Sequence, residues 1–280
     1  MEPDNEQECA VSPVFAAACS GQLSSLRLLV SKNMNLEWAG RVGNRAAHVA
    51  AHNGHHRCLA LLSQAGAEME SRNKVGYTAA HRAAEGQDND ACLRTLYEGC
   101  ANLEAACDEG MTAAHIAAAQ GNWKCLSFLR EARVDLDARS ALGCTPLHSA
   151  ALVGHIKCFK ILRDAQVDVD AKGSDGWTAA HQSAFGNHPV CLRLLSDANA
   201  SLACPDKDGL TPGHLAAQWG NVQCLSVLRD AGVSLVLRDN QGCTPKDVAV
   251  LYKQKSAVDF LVSLETLSGA EGSRRQFHHS

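Results

Sequence analysis

The chain has 280 residues, of which 46% are hydrophobic and 20% charged, a globular composition with enough apolar material for one large domain or two ordinary ones. A formal net charge of -4 gives no general pull toward nucleic acid or an anionic membrane, and the longest apolar runs, such as Val14 to Cys19, are too short to span a bilayer. Thirteen cysteines, an odd number in a chain of this size, argue against a disulfide framework and for reduced thiols in the cytosol or nucleus.

Residues 1–9 are acidic and polar, reading as a disordered segment without the character of a secretory leader. Near residue 10 a helical unit begins, opened by Ser12-Pro13 and running to Val30. From there a glycine recurs at Gly43, Gly76, Gly110, Gly143, Gly176, Gly209 and Gly242, in steps of 33 or 34 residues. Five residues after each of the first six stands a histidine: His48, His81, His115, His148, His181 and His214. In the same register fall Cys58, Cys92, Cys125, Cys158, Cys191 and Cys224.

Within a period, a Thr before an Ala-rich run predicts a capped first helix, as at Thr78, Thr112, Thr145, Thr178 and Thr211. Pro146 and Pro212 suit the first helical turn, where no N–H partner is lost. Gly121, Gly154 and Gly220 predict left-handed helix ends. A second helix follows with apolar residues on one face, such as Cys158, Phe159, Ile161 and Leu162. Polar, Asp- and Gly-rich stretches such as DAQVDVDAKGSDG then predict tight, finger-like loops. Glu85 to Asp90 holds a one-residue insertion. The end units differ: Phe15 takes the His register at the start, and Asp247 and Ala257 replace His and Cys at the end, as the outer faces of a stack require. After Leu267, residues 268–280 read as a disordered polar tail.

A period of 33 residues with Thr145-Pro146-Leu147-His148, and Thr211-Pro212-Gly213-His214 one residue away from it, resembles the ankyrin repeat over residues 10–267. Three units read Thr-Ala-Ala-His instead, and Asn44-Arg45-Ala46-Ala47-His48 lacks the Thr. The resemblance implies an all-α solenoid of helix–turn–helix units with β-hairpin-like finger loops. About eight repeats are expected, two of them caps, starting near residues 10, 43, 76, 110, 143, 176, 209 and 242.

The periodic His and Cys are better read as architecture than as chemistry. No C-x2-C or H-x3-H pair occurs among them, and equivalent cysteines one helix layer apart exceed disulfide reach. The expectation is a His bonded to backbone near its own turn and a Cys acting as a small buried filler. Cys144 and Cys243 follow anchor glycines and are expected to be exposed, without a fixed base beside them. No phosphate loop, dinucleotide fingerprint or nucleophile elbow is present. No catalytic residue, cofactor or metal site is therefore assigned.

The resemblance further implies that residues flanking the anchor glycine and closing the first helix face a partner. On this chain that face is polar at first (Asn44, His52, Lys74, Glu85, Glu109) and includes Tyr77 and Met111. It then turns apolar with Leu142, Leu152, Val153, Trp177, Phe185, Leu210, Trp219 and Tyr252. Tyr77, Met111 and these eight apolar residues are the candidate partner-binding set, since clustered aromatics dominate interfaces. Trp123 is expected to cover the core at the start of a second helix, while Trp38 lies in a finger with its role open.

The resulting expectation is a non-enzymatic protein-binding module or scaffold whose C-terminal half grips an apolar segment of a partner. It would be cytoplasmic (nuclear, cytoskeletal and ciliary settings also fit), a monomer or part of a hetero-complex, and would bind neither nucleic acid nor membrane. The alternatives are a regulatory or inhibitory subunit of an enzyme or transcription factor, and a structural component of a cytoskeletal or ciliary assembly.

Overall fold

A computed structural model describes residues 12–276, with side chains described as far as residue 266. The polar segment expected at 1–9 lies outside the described residues. Sixteen helices and no strand are found among the described residues. They pair as eight helix–turn–helix units: α1 (Pro13–Cys19) with α2 (Leu23–Ser31), α3 (Ala46–His52) with α4 (His56–Gln64), α5 (Ala79–Glu85) with α6 (Asp90–Glu98), and α7 (Ala113–Gln120) with α8 (Trp123–Glu131). The remaining pairs are α9 (Pro146–Val153) with α10 (Ile156–Asp164), α11 (Ala179–Phe185) with α12 (Pro189–Asp197), α13 (Pro212–Gln218) with α14 (Val222–Asp230), and α15 (Pro245–Leu251) with α16 (Lys255–Gln276). The expected all-α repeat architecture is present, with fingers closed by turns. The last helix runs to Gln276, past the boundary at Leu267 drawn from composition.

The chain divides into two compact units: residues 1–150 with 157–167, and residues 151–156 with 168–280. Within the first, odd-numbered inner helices stack on one another from α1 to α7, and outer helices do so from α2 to α8. In the second, α11, α13 and α15 form the inner row and α12, α14 and α16 the outer row.

Inner helices of seven or eight residues are too short to persist alone, so packing must hold them. Ala makes that packing close: in α5, Ala79, Ala80, Ala83 and Ala84 are all buried, as are Ala113, Ala114, Ala117 and Ala118 in α7. Outer helices contribute the larger groups, such as Cys92, Leu93 and Leu96 of α6 and Cys125, Leu126, Phe128 and Leu129 of α8. Gly121, Gly154 and Gly220 take the left-handed conformation expected, with φ of 75°, 80° and 70°.

Side-chain rungs join successive repeats. Asn122 donates to the carbonyls of Ala84 and Gly86 at 2.6 and 3.0 Å, satisfying the open end of α5. Asn89 serves α3 in the same way, and in the second unit Asn221 serves α11. Fingers are linked through their backbones as well. The Val42, Val75 and Glu109 carbonyls accept from the N–H groups of Lys74, Asp108 and Ala141 in the first unit, and those of Asp175 and Asp208 accept from Lys207 and Asn240 in the second.

Trp123 departs from its expected role. It is 38% exposed on the outer row, with the Lys157 ammonium 4.8 Å from its ring centre, because the core at this level is already filled by Leu126 and Leu129. Trp38 packs edge-on against buried Phe15 at 5.4 Å, so it closes the first repeat.

Candidate protein-docking face

The periodic histidine sets the geometry from which this face is built. In the repeat at Gly76, His81 Nδ1 accepts from the Thr78 N–H at 3.1 Å and lies 2.9 Å from the Thr78 hydroxyl. A backbone N–H can only donate, so Nδ1 carries no proton and the neutral ring holds it at Nε2. Nε2 therefore donates to the Met111 carbonyl of the next finger at 2.9 Å. His48 reaches the Tyr77 carbonyl, His115 that of Cys144, His181 that of Leu210 and His214 that of Cys243. The bond to the ring's own turn is as expected; the second, reaching across to the following finger, goes beyond it. Burial holds His81, His115 and His181 below the ordinary histidine range and brings His48 down to about 4.

The periodic cysteines are similarly committed. Burial pushes Cys92, Cys125, Cys158 and Cys224 up to about 12 and Cys191 to about 11, far from a nucleophilic thiolate. The Sγ atoms of Cys92, Cys125, Cys158 and Cys224 point at inner-helix carbonyls, as Cys125 does at Ala83 over 3.8 Å. Cys144 and Cys243 are only partly exposed, since the bonds from His115 and His214 draw their backbones inward. Among the described residues the exposed thiol is Cys100, at a left-handed position with φ 59°.

In the second unit, the ends of the inner helices present apolar side chains at two adjacent positions, nine and ten residues after the anchor glycine. Leu152 and Val153 close α9, Phe185 closes α11, Trp219 follows α13 and Tyr252 follows α15; all are exposed, Trp219 at 52%. Phe185 meets Trp219 edge-on at 5.2 Å and Trp177 at 5.6 Å, giving a continuous aromatic run. Trp177 and Leu210 are half-buried in the fingers beside it. The indole N–H of Trp177 donates to Asp206 at 3.0 Å and its ring stacks on His181 at 6.1 Å. Trp177 thus supports the run while Trp219 forms its crest.

The first unit brings together a different set. Tyr77 is half-buried and stacks on His81 at 5.2 Å, with Met111 also half-buried and Leu142 72% exposed. A pocket of about 450 Å³ is lined by Val42, Val75, Tyr77, Arg82, Glu85 and Glu109, among others. Arg82 is 8% exposed and pairs with Glu85, which also approaches His52 at 3.7 Å. Burial first, and then Cys107 and the carboxylates of Glu85 and Glu109, hold the Tyr77 phenol above its ordinary range. Arg82 was not anticipated, although its register position holds Val49, Ile116 and Leu215 in other repeats, so comparing repeats marks it out. Tyr77, Arg82 and Glu85 stand where Trp177, Gln182 and Phe185 stand in the second unit, the same backbone sites carrying opposite chemistry.

A family profile described as ankyrin repeats in three copies matches residues 2–73, 47–140, 80–173, 132–202 and 190–272. The chain belongs to the ankyrin-repeat family. No curated protein matches it significantly. Ankyrin repeats are generally protein–protein interaction modules, and this ankyrin-repeat chain carries both of its candidate faces at the positions flanking the anchor glycines and inner-helix ends. Among the described residues, no helix is long and apolar enough to cross a membrane.

Proposed function

We propose that the chain is a non-enzymatic binding module whose second unit grips an apolar segment of a partner protein along Leu152, Val153, Phe185, Trp219 and Tyr252. The observation that carries this reading is the exposure of these side chains at two adjacent register positions on successive inner-helix ends, flanked by Trp177 and Leu210. Scattered exposed apolar residues need no explanation, whereas an aligned run rich in aromatics fits an interface core. Met111, Tyr77 and Leu142 extend the reading to the first unit as a more polar contact. The raised thiols and doubly bonded imidazoles are occupied in holding the scaffold, which supports a binding role over a catalytic one. The twelve described cysteines are all free thiols, which supports a reducing compartment such as the cytosol.

The test is affinity capture from native cell extract with the wild-type chain, Trp219→Ser and Leu152→Ser side by side. Both side chains are exposed, at 52% and 40%, so the variants should keep the wild-type melting temperature. A protein retained by the wild type and lost from both variants is the expected result. A partner held equally by all three removes this face from the reading.

A further inference from the structure

The last finger of the second unit, residues 233–243, carries the groups by which each earlier finger receives the next, and here they are unused. Within each unit, the finger-tip carbonyls of Val42, Val75, Glu109, Asp175 and Asp208 each accept a backbone N–H from the following finger. The anchor glycine beside each tip lies against that arriving backbone: a Cβ on Gly110 would sit 2.6 Å from the Ala141 nitrogen, and one on Gly209 2.7 Å from that of Asn240. The equivalent carbonyl in the last finger, that of Gln241, accepts no hydrogen bond from the described residues, and a Cβ on Gly242 would meet nothing within 4 Å.

A second rung stops one finger earlier. The carboxylates of Glu37, Glu70, Glu104 and Asp170 accept the N–H groups of Glu68, Asn102, Asp135 and Ser201 in the following fingers. This register position is Ala203 in the next-to-last finger and Val236, 64% exposed, in the last. The aliphatic residue just before it is buried in some earlier fingers (Leu103, Leu136 and Leu202) and half-buried in others (Leu36, Met69 and Val169), and Leu235 is half-buried as well. With Val233, Val236, Leu261 and Leu264 it lines an open pocket of about 300 Å³. Arg229, Thr244, Lys246 and Glu265 complete the lining, and its charges are matched: Lys246 pairs with Glu265 at 2.8 Å and Arg229 with Asp230 at 2.7 Å. Every earlier outer helix stops after nine residues and turns back into a finger, whereas α16 passes Leu264 and continues as helix to Gln276. Among the described residues, no further finger follows at this level.

We propose that this edge binds an extended segment of a partner polypeptide, which docks as an added finger. The segment places two aliphatic side chains, at i and i+2, in the pocket. It also donates a backbone N–H to the Gln241 carbonyl. The i and i+2 spacing is the one the existing fingers use, as in Val134 and Leu136 or Val167 and Val169. An extended segment fits where a helix does not, because alternate side chains share one face and its N–H groups are free to donate. The surface is separate from the ridge of Phe185 and Trp219 and stands whether or not that ridge binds.

The test uses the full chain with labelled methyl groups and a peptide of its own residues 133–142, which carries Val134 and Leu136 at the required spacing. The control is the same peptide with Val134→Asp and Leu136→Asp. Saturable shifts at the methyls of Val233, Leu235, Val236, Leu261 and Leu264 are expected with the first peptide only. Val236→Lys, at an exposed position, should keep the melting temperature and weaken binding about tenfold, while Trp219→Ser leaves it unchanged. Absence of saturable shifts at these methyls overturns the proposal, as does equal binding of the control peptide or an indifferent Val236→Lys. Self-association that Val236→Lys abolishes assigns the edge to a second copy of the chain and overturns it too.

Discussion

His48, His81, His115 and His181 each bond twice, once to their own turn and once to the next finger, and only the neutral ring can do both. A proton added at Nδ1 would face a backbone N–H, donor against donor. This has a consequence for acid stability. A ring kept neutral in the fold takes up a proton more readily in the unfolded chain, so the unfolded state binds more protons below the ordinary histidine range. The stabilisation is complete above pH 6.5 and is lost as pH falls from there toward about 4, the value for His48. At pH 5 His48 alone should account for about 2 kcal/mol of lost stability, and His81, His115 and His181 add to it in the same direction. Urea unfolding at pH 7.5 and pH 5 measures this, and a midpoint that does not move between them contradicts the staple. At the last repeat, Asp247 replaces the ring and accepts from the Thr244 N–H at 2.9 Å. Those bonds hold its carboxyl below the usual range, so its contribution is present above the ordinary carboxylate pKa and disappears only as pH falls through the lowered one.

At the scale of elements, the repeat is a set of short helices that need their neighbours, joined by fingers that approach very closely. Gly110 shows how closely: its φ is 72°, and an added Cβ would lie 2.6 Å from the backbone nitrogen of Ala141. Gly232 has a similar φ of 76°, with nothing within 4 Å of the same atom. Both substitutions to Ala incur left-handed backbone strain of about 1 kcal/mol, but Gly110→Ala must also push neighbouring fingers away from each other. Gly110→Ala should therefore cost at least about 1 kcal/mol more than Gly232→Ala in chemical denaturation. Equal costs would show that the fingers separate freely. The helices themselves are legible from the 33-residue register, since Thr caps, Ala runs and left-handed glycines each have a local cause. Trp123 is harder to place. Its position in α8 is evident, but whether the ring covers the core depends on how completely Leu126 and Leu129 fill the space beside it, which is a property of the packed stack.

At the scale of the whole molecule, the two units present unlike chemistry at equivalent positions, with Tyr77, Arg82 and Glu85 in one and Trp177, Gln182 and Phe185 in the other. Binding along the ridge of the second unit should be governed by apolar burial, so raising salt from 50 to 500 mM should change affinity for the captured partner less than about twofold. A steep fall with salt would move the principal contact to charged groups such as Arg82, Glu85 and Glu109. Much of the candidate face can be read in the sequence, because anchor-glycine numbering places Leu152, Phe185, Trp219 and Tyr252 in related positions. What that numbering leaves out is the difference between Trp177 and Trp219. One indole is tied to Asp206 and stacked on His181, while the other stands 52% exposed.

The sequence by itself determined the repeat, its helices and caps, the family, and the architectural nature of the periodic His and Cys. Each of these rests on local propensity or on a period, and both are properties of the chain in one dimension. Tertiary structure decided which carbonyl each His48-type ring reaches, that Arg82 is buried against Glu85, that Trp38 closes on Phe15, and that the edge at Gln241 and Val236 is left open. Those facts depend on which atoms of one repeat meet those of the next, and such contacts arise only when the helices stack.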